Sequence, residues 1–254
     1  MAKVIAFTAP KGGSGATLCL AGVWSSFVDK SVEVLACDMC FERCGLDLAL
    51  GFNNDYVYTL SDAVSGDCSF EETLCKNGSG SFIRCDYEKD FFDVSAAFEI
   101  LKNSDFKYIF CDLTDRDEDF VKEVLGFTDT LVLVTEPGKL SVQLCERSAG
   151  VYDFTDTRVI VNKIIPTYIQ KGIHLTIDEI LDSIGYPLLG LVPWTYEAEI
   201  IYRQGIINSM EDKSLKEAFA NIASRIEGQR VCAQEFKKVY DCFKPGRKFS
   251  LKAD

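Results

Sequence analysis

A glycine-rich stretch near the N-terminus has the residue types and spacing of a phosphate-binding loop. It occupies residues 10–17 (PKGGSGAT), directly after an apolar run and directly before a helical pattern at residues 18–28. Glycines allow backbone N–H groups to converge on phosphate oxygens, and the positive end of the helix dipole adds to the attraction. The common pattern G-x-x-x-x-G-K-[ST] is met only in part, because Pro10 replaces the first glycine and Ala16 the lysine. The stretch predicts phosphate binding, and the alternative is a strand-to-helix turn without a ligand.

The elements that must position this loop are short apolar runs that alternate with helical patterns. The apolar runs lie at residues 3–8, 32–37, 108–112, 130–135, 158–162 and, more weakly, 187–192. Runs that are apolar throughout are typical of strands buried on both faces in a parallel sheet. The capping-box pairs Ser69–Glu72 and Thr176–Glu179, and an apolar stripe at residues 214–226, predict helices around them.

These patterns predict an α/β fold with a three-layer, doubly wound and mostly parallel sheet flanked by helices. Residues 1–228 would form one domain, because no internal repeat, low-complexity segment or long linker divides them. Residues 229–254 would form a C-terminal helix and a basic tail.

Composition disfavours several classes of protein. The chain has 254 residues, with 27 Lys and Arg against 39 Asp and Glu, a net charge of −12, and 47% hydrophobic residues. This is the balance of a folded globular protein, and its acidic excess disfavours a nucleic-acid partner. No apolar run approaches the roughly 18 residues of a membrane span, and the N-terminus lacks a signal-peptide pattern, so we expect a cytoplasmic protein. The single histidine, His174, excludes a multi-histidine metal site.

Several ordered motifs resemble those of the MinD/ParA family of deviant Walker-A P-loop ATPases. Residues 11–15 (KGGSG) and Thr17 match that family's K-G-G-x-G-K-[ST] loop. The other matching stretches are Asp38 with residues 45–47 and 50–51, residues 111–112, residues 135–137 with 141–142, residues 161–163 with Pro166, residues 190–193, and residues 204–205. The resemblance covers about residues 1–228 and implies the P-loop NTPase fold.

The resemblance also implies an ATP-dependent switch for spatial positioning or regulation. In that family two protomers enclose two nucleotides, which implies a homodimer with a protein regulator or cargo, and ATP or ADP with Mg²⁺ as cofactors. Lys11 and Asp38 would be the catalytic residues, Lys11 by reaching the partner's phosphates and Asp38 by lying near the γ-phosphate. Thr17 and Asp112 would hold Mg²⁺, and Asn162 would contact the adenine. The residues expected to bind the nucleotide are Gly12, Gly13, Ser14, Gly15, Ala16, Thr17, Asn162, Lys163 and Pro193.

Three departures from the family pattern affect the chemistry. Ala16 replaces the lysine that neutralises phosphate charge in cis, and Cys40 replaces a second acidic residue. After Asp112, the flexible S-P-A-G of the family becomes residues 113–116 (LTDR). Because phosphoryl transfer depends mostly on electrostatic stabilisation, these changes predict weak or absent hydrolysis. The alternative is a pseudo-ATPase scaffold that binds partner proteins without a nucleotide.

A cysteine cluster allows a second alternative. The chain has 11 cysteines, and Cys37, Cys40 and Cys44 form the pattern C-x-x-C-x-x-x-C. Thiolates at such spacing can hold zinc or an iron–sulfur cluster, although no fourth ligand is evident. A cysteine-ligated metal or redox protein therefore stays open, beside the simpler interpretation that these are buried apolar side chains.

The C-terminal tail differs in charge from the rest of the chain. Residues 229–254 contain seven basic and three acidic residues, and apolar side chains recur in them at helical spacing. The MinD resemblance implies a short basic amphipathic helix here that contacts the membrane surface, which would make the protein membrane-associated. The alternative is a last helix packed on the domain, with residues 245–246 (PG) ending the pattern.

Overall fold

The computed structural model describes residues 2–40, 45–52, 56–85, 92–206 and 210–231. Its strands are β1 Lys3–Thr8, β2 Val34–Asp38, β3 Cys75–Asn77, β4 Gly80–Arg84, β5 Tyr108–Asp112, β6 Thr130–Thr135, β7 Thr157–Ile164 and β8 Leu188–Pro193. Within the described ranges they form one eight-stranded sheet in the order β3-β4-β2-β5-β1-β6-β7-β8. Only the β3–β4 pair is antiparallel among these strands. The predicted doubly wound, mostly parallel sheet is confirmed.

Helices cover both faces of this sheet. Those in the described residues are α1 Ala16–Asp29, α2 Leu46–Leu50, α3 Leu60–Ser65, α4 Val94–Lys102, α5 Glu118–Leu125, α6 Lys139–Tyr152, α7 Pro166–Gln170, α8 Ile177–Ile184, α9 Glu197–Gln204 and α10 Lys213–Ile226. Both predicted capping boxes form. The Thr176 box starts α8, whereas the Ser69 box starts a short 3-10 turn rather than an α-helix.

Two separate apolar layers show why the strands are apolar throughout. Along β1, Val4 and Ala6 pack with the layer that α4, α5, α6 and α8 cover, and Ile5 and Phe7 pack with the layer of α1 and α10. Each strand of the sheet centre therefore needs apolar side chains at every position, as parallel sheets do. This three-layer arrangement fixes the carboxyl ends of the central strands at one common edge.

The sequence does not predict β3 and β4, which lie at one edge of the sheet. Their sequences are CKN and GSFIR, and neither is an apolar run. β4 nonetheless pairs with β2 from Val34–Gly80 to Asp38–Arg84. Gly80 has a packing reason, because a Cβ there would lie closer than 3.0 Å to the Trp24 indole. The predicted bounds also shift slightly: β2 begins at Val34 rather than residue 32, and β8 at Leu188 rather than residue 187.

Gly22 on α1 makes the close packing against α10 possible. A Cβ at this position would lie closer than 3.0 Å to the buried Phe219 ring. We expect Gly22→Ala to lower the free energy of unfolding by about 2 kcal/mol, because overpacking a core contact costs roughly 1–3 kcal/mol. Urea unfolding would measure the change. Gly150→Ala on α6 is the control: that position is exposed, a Cβ there meets nothing within 4 Å, and it should gain a few tenths of a kcal/mol or more. Equal effects at the two positions would contradict the packing argument.

The proposed C-terminal segment lies almost wholly outside the described residues. α10 ends at Ile226, and the description continues only to Val231. The division at residue 228 and the helix predicted in residues 229–254 therefore stay predictions. Among the helices that are described, none is both long enough and apolar enough to cross a membrane.

Candidate nucleotide-binding site

The glycine-rich loop connects β1 to α1 at the carboxyl edge of the sheet. Gly13 and Gly15 have φ angles of +80° and +87°, a left-handed conformation that favours glycine. Gly15 is also the residue that caps α1, and the Ser14 N–H donates to the Lys11 carbonyl at 3.2 Å. The loop thus has the curled backbone at a helix N-terminus that phosphate binding requires.

Buried polar side chains hold this loop in place through hydrogen bonds. The Asn162 amide, only 1% exposed, donates from Nδ2 to the Ser14 carbonyl at 2.8 Å. The Ser14 hydroxyl lies 3.4 Å from that of Ser141, which lies 3.0 Å from that of Thr135. A Cβ on Gly15 would lie closer than 3.0 Å to the Asn162 amide. Asn162 therefore supports the loop in this structure, and its contact with an adenine stays a prediction.

Two aspartates lie side by side at the ends of neighbouring strands. Asp38 ends β2 and Asp112 ends β5, and their Cα atoms are register partners. Both are buried, and one oxygen of each, Oδ2, has no hydrogen-bond partner among the described residues. Burial, together with the charge of Asp112, raises the pKa of Asp38 to about 7. Burial also raises the pKa of Asp112, and the hydroxyls of Thr114 and Thr17 offset part of that rise.

The donor set beside Asp112 fits a magnesium ion. The Asp112 Oδ1 accepts from the N–H and the hydroxyl of Thr114, and the Thr114 hydroxyl lies 3.4 Å from that of Thr17. Hydroxyl and carboxylate oxygens are hard ligands, and Mg²⁺ in nucleotide sites uses one or two such groups beside phosphate and water. A bound cation would neutralise the two buried carboxylate oxygens that have no hydrogen-bond partner among the described residues. Thr17 and Asp112, predicted from separate parts of the sequence, are brought together.

A closed group of three charged side chains lies at the loop. The Lys11 ammonium contacts Glu136 Oε2 at 2.6 Å, and the Lys163 ammonium contacts Glu136 Oε1 at 2.8 Å. Lys163 also donates to the Gly13 carbonyl at 2.5 Å. Burial tends to raise the pKa of Glu136, but hydrogen bonds from Lys11 and Lys163 outweigh it and hold that pKa below its usual value. Lys11, expected to act on a partner protomer, is here bound within its own chain.

Ala16 and Cys40 are both buried beside these groups. Ala16 is the first residue of α1 and 1% exposed, so its methyl group offers no charge to the loop. The Cys40 thiol lies 3.9 Å from the Asp112 carbonyl oxygen. Burial, then the nearby Asp112 and Asp38, raises the pKa of Cys40, which keeps the thiol neutral. Neither side chain supplies the charge that the MinD/ParA motif has at its position.

The segment after Asp112 is tied to the end of β2. The Met39 N–H donates to the Asp112 carbonyl at 3.1 Å, and Arg116 Nε donates to the Met39 carbonyl. The Arg116 guanidinium also lies 4.3 Å from the centre of the Phe120 ring. Arg116 is therefore engaged with Met39 and Phe120, and it is half-buried.

The remaining predicted residue and the unpredicted ones lie along the same edge. Pro193 ends β8 opposite Ile164 of β7, one strand beyond Asn162. Three residues important to the geometry, Glu136, Ser141 and Thr114, were not among the predicted site residues. Glu136 and Ser141 fall in a matched motif, and an acidic residue directly after a strand that ends at this edge is the signal that could have identified Glu136.

The cysteine alternative is only partly open to inspection. Cys37 and Cys40 are buried, and Cys44 lies outside the described residues. No group of three or more His, Cys, Asp or Glu side chains placed to hold a metal occurs within the ranges described. The three-cysteine site stays a prediction; Cys37 packs in one of the apolar layers, whereas the Cys40 thiol is buried beside Asp112.

Comparison with known proteins gives a consistent result, although no family model matches. The chain is 26% identical over 260 residues to the septum site-determining protein MinD of Synechocystis, covering 95% of both chains. The chain is similar over nearly its whole length to MinD septum site-determining proteins. Its fold matches a chain of the MinC:MinD cell division protein complex from Aquifex aeolicus, with a TM-score of 0.83, 23% identity and coverage of 92% and 98%. It also matches MinD of Pyrococcus horikoshii in complex with Mg-ADP, with a TM-score of 0.75, 19% identity and coverage of 89% and 96%.

The matches extend over nearly the whole of this chain and of each relative. The MinD/ParA resemblance and its P-loop NTPase fold are thereby confirmed.

Proposed function

We propose that this chain is an ATP- or ADP-binding switch of the MinD/ParA type, with a role in spatial positioning or division. The observation that carries the proposal is the meeting of the glycine loop, Thr17 and Asp112, with buried carboxylate oxygens of Asp38 and Asp112 left without partners. Such groups cost free energy unless a ligand compensates them. The Mg-ADP complex of the Pyrococcus homologue supports the same ligand for this chain.

Each part of the chain would have a definite task in holding the nucleotide. The loop N–H groups from Gly12 to Thr17 would bind phosphate oxygens, and Thr17 and Asp112 would hold Mg²⁺. The bound Mg²⁺ would supply the positive charge that neutralises the phosphates. Asn162 and Pro193 would border the base from the ends of β7 and β8.

We propose that hydrolysis is weak or absent. With Ala16 in place of lysine, the loop lacks a cation that would stabilise charge in the transition state. Losing one such group typically costs about two to three orders of magnitude in rate. Cys40 is a neutral thiol close to Asp112 and so cannot serve as an anionic acceptor for water. Arg116 further ties the segment after Asp112 to Met39, which restrains a region that must move in a switch.

Nucleotide binding would be coupled to dimerisation. Lys11 would leave Glu136 and contact the phosphates of the partner protomer, as the family resemblance implies. The cytoplasm is the proposed location, with a regulator or cargo protein as partner. The tail of residues 229–254 would add peripheral membrane contact if it forms the basic amphipathic helix.

Sedimentation velocity tests the proposed switch directly. With Mg²⁺ and the slowly hydrolysed analogue ATPγS we expect a dimer, and without nucleotide a monomer. Lys11→Met should bind nucleotide but stay monomeric, whereas Lys171→Met, at an exposed position outside the site, should behave as the parent does. A chain that stays monomeric at saturating nucleotide would contradict the proposed dimer. In a separate assay, rapid release of phosphate from ATP would contradict weak hydrolysis.

A scaffold that needs no nucleotide is the second candidate. Exposed apolar side chains follow the strands at this same edge: Leu140, Tyr168, Ile173, Trp194 and Tyr196. Several exposed apolar side chains near one another are typical of protein-binding surfaces. Partner binding that is equal with and without Mg-ATP would favour the scaffold.

A further inference from the structure

Glu136 forms ion pairs with two lysine ammonium groups, as a bound anion would. Its two carboxylate oxygens each contact a different ammonium group, Lys11 at 2.6 Å and Lys163 at 2.8 Å. The Glu136 side chain is 18% exposed, so the contact is partly shielded from water. The two lysine side chains are 36% and 37% exposed, so water still screens both ion pairs in part.

Lys163 is held in an unusual position over the phosphate loop. Its φ angle is +56°, a conformation that L-residues other than glycine rarely adopt. From there its ammonium reaches the Gly13 carbonyl at 2.5 Å, on a loop 150 residues away in sequence. Burial raises the pKa of Cys19 in the first turn of α1, and the Lys163 charge opposes part of that rise.

The loop itself lacks a cation in cis. Ala16 stands where the P-loop pattern has lysine, and Arg116 is engaged with Met39 and Phe120. Lys11 is the other described ammonium at the loop, and the family resemblance assigns it to the partner's phosphates. Lys163 is thus the lysine in the described part of the chain that is placed to serve its own protomer's nucleotide.

We propose that Lys163 is the cis phosphate-contacting cation of this site, in place of the lysine missing at position 16. Glu136 holds Lys163 and Lys11 until a phosphate group replaces its carboxylate. This inference rests on the nucleotide binding proposed above. The exchange moves Lys163 to the phosphates of its own protomer's nucleotide and releases Lys11 for those of the partner, so Glu136 competes with both contacts.

The exchange gives opposite effects for the two side chains. Losing the Lys163 charge removes a charge-assisted contact to phosphate, and we expect Lys163→Met to weaken ATP binding about tenfold. Losing the Glu136 charge removes the competitor, and we expect Glu136→Gln to strengthen ATP binding about fivefold. Lys163→Arg keeps the charge and should retain most of the affinity, because any left-handed strain is the same for Lys, Met and Arg.

Fluorescence titration with a mant-labelled ATP analogue and Mg²⁺, at fixed ionic strength, tests the inference. The proteins are the parent chain, Lys163→Met, Lys163→Arg, Glu136→Gln, Ala16→Lys, the Ala16→Lys/Lys163→Met double variant, and the exposed-site control Lys171→Met. If Lys163 replaces the missing lysine, removing it should matter much less once position 16 carries one. Thermal unfolding of each variant without nucleotide separates loss of binding from loss of folding.

The outcomes separate this inference from the proposed function. Binding by the parent chain with unchanged affinity in Lys163→Met overturns the role of Lys163, and unchanged or weaker binding in Glu136→Gln overturns its role as competitor. An equal loss from Lys163→Met with and without Ala16→Lys indicates a structural role only and also overturns the inference. No binding by any variant, Ala16→Lys included, overturns the proposed function and this inference with it.

Discussion

Replacing Ala16 with lysine is expected to strengthen Mg-ATP binding by about one to two orders of magnitude. Hydrogen bonds to charged groups contribute roughly 1.5–3 kcal/mol, which corresponds to about 10- to 100-fold in affinity. The backbone that would present this lysine is already formed, since Gly15 caps α1 and Gly13 has the required left-handed conformation. Isothermal titration calorimetry would compare the variant with the parent chain under identical salt conditions.

Ala16→Met is the matched control for this prediction. It adds a side chain of similar length without a charge, so it separates electrostatic attraction from a change in loop packing. We expect Ala16→Met to bind Mg-ATP no better than the parent. If lysine and methionine had the same effect at position 16, the account of the missing cation would be wrong.

Replacing Asp38 with asparagine is expected to stabilise the ligand-free protein by roughly 2–4 kcal/mol above neutral pH. The raised pKa of Asp38, about 7, means that the folded chain resists losing this proton. Each unit of difference from the unfolded value corresponds to about 1.4 kcal/mol. An amide removes one of two adjacent buried charges and offers N–H donors to Asp112.

The pH dependence has a definite sign. Below about pH 4, Asp38 is protonated in both the folded and the unfolded chain, so its titration changes nothing. Between about pH 4 and 7, the unfolded chain releases this proton while the folded chain keeps it, and the parent loses stability as the pH rises. Asp38→Asn should remove that loss, so its advantage grows over this range and then stays constant.

Urea unfolding across this pH range would measure the effect of Asp38→Asn. Asp105→Asn, at an exposed carboxylate far along the chain, is the control and should change the free energy of unfolding by less than about 0.5 kcal/mol. A destabilised Asp38→Asn variant above neutral pH would contradict the burial of an uncompensated carboxylate pair. The same variant should bind Mg-ATP less well, since stabilising a functional site commonly costs function.

The sequence predicts best where one residue type has one physical explanation. The apolar runs of β1, β5 and β6 match the observed bounds, because a strand buried on both faces tolerates few polar residues. The Lys11–Thr17 loop is likewise recognisable from its glycines and its place between a strand and a helix. In contrast, β3 and β4 are short strands without an apolar run, and β4 lies between β3 and β2 with Gly80 packed against Trp24.

Side-chain partners within the site are much harder to predict than its position. Periodicity places Asn162 near the end of a strand, but it does not show that the side-chain amide donates to the Ser14 carbonyl. Glu136 pairs with Lys11, which lies 125 positions earlier in the chain. It also pairs with Lys163 on β7, from which α6 separates it in sequence. Such contacts follow from the order of strands in the sheet, which local sequence does not determine. The proximity of Thr17 to Asp112 was predictable only through the family motifs.

Calorimetric titration of the parent chain with Mg-ATP tests the central claim most directly. We predict saturable binding of one nucleotide per chain, with a dissociation constant below about 1 mM, that weakens at least tenfold in Asp112→Asn and strengthens in Ala16→Lys. Binding that Asp112→Asn leaves unchanged would contradict the assigned magnesium site. No binding at millimolar Mg-ATP, by either the parent or Ala16→Lys, would contradict the nucleotide switch itself.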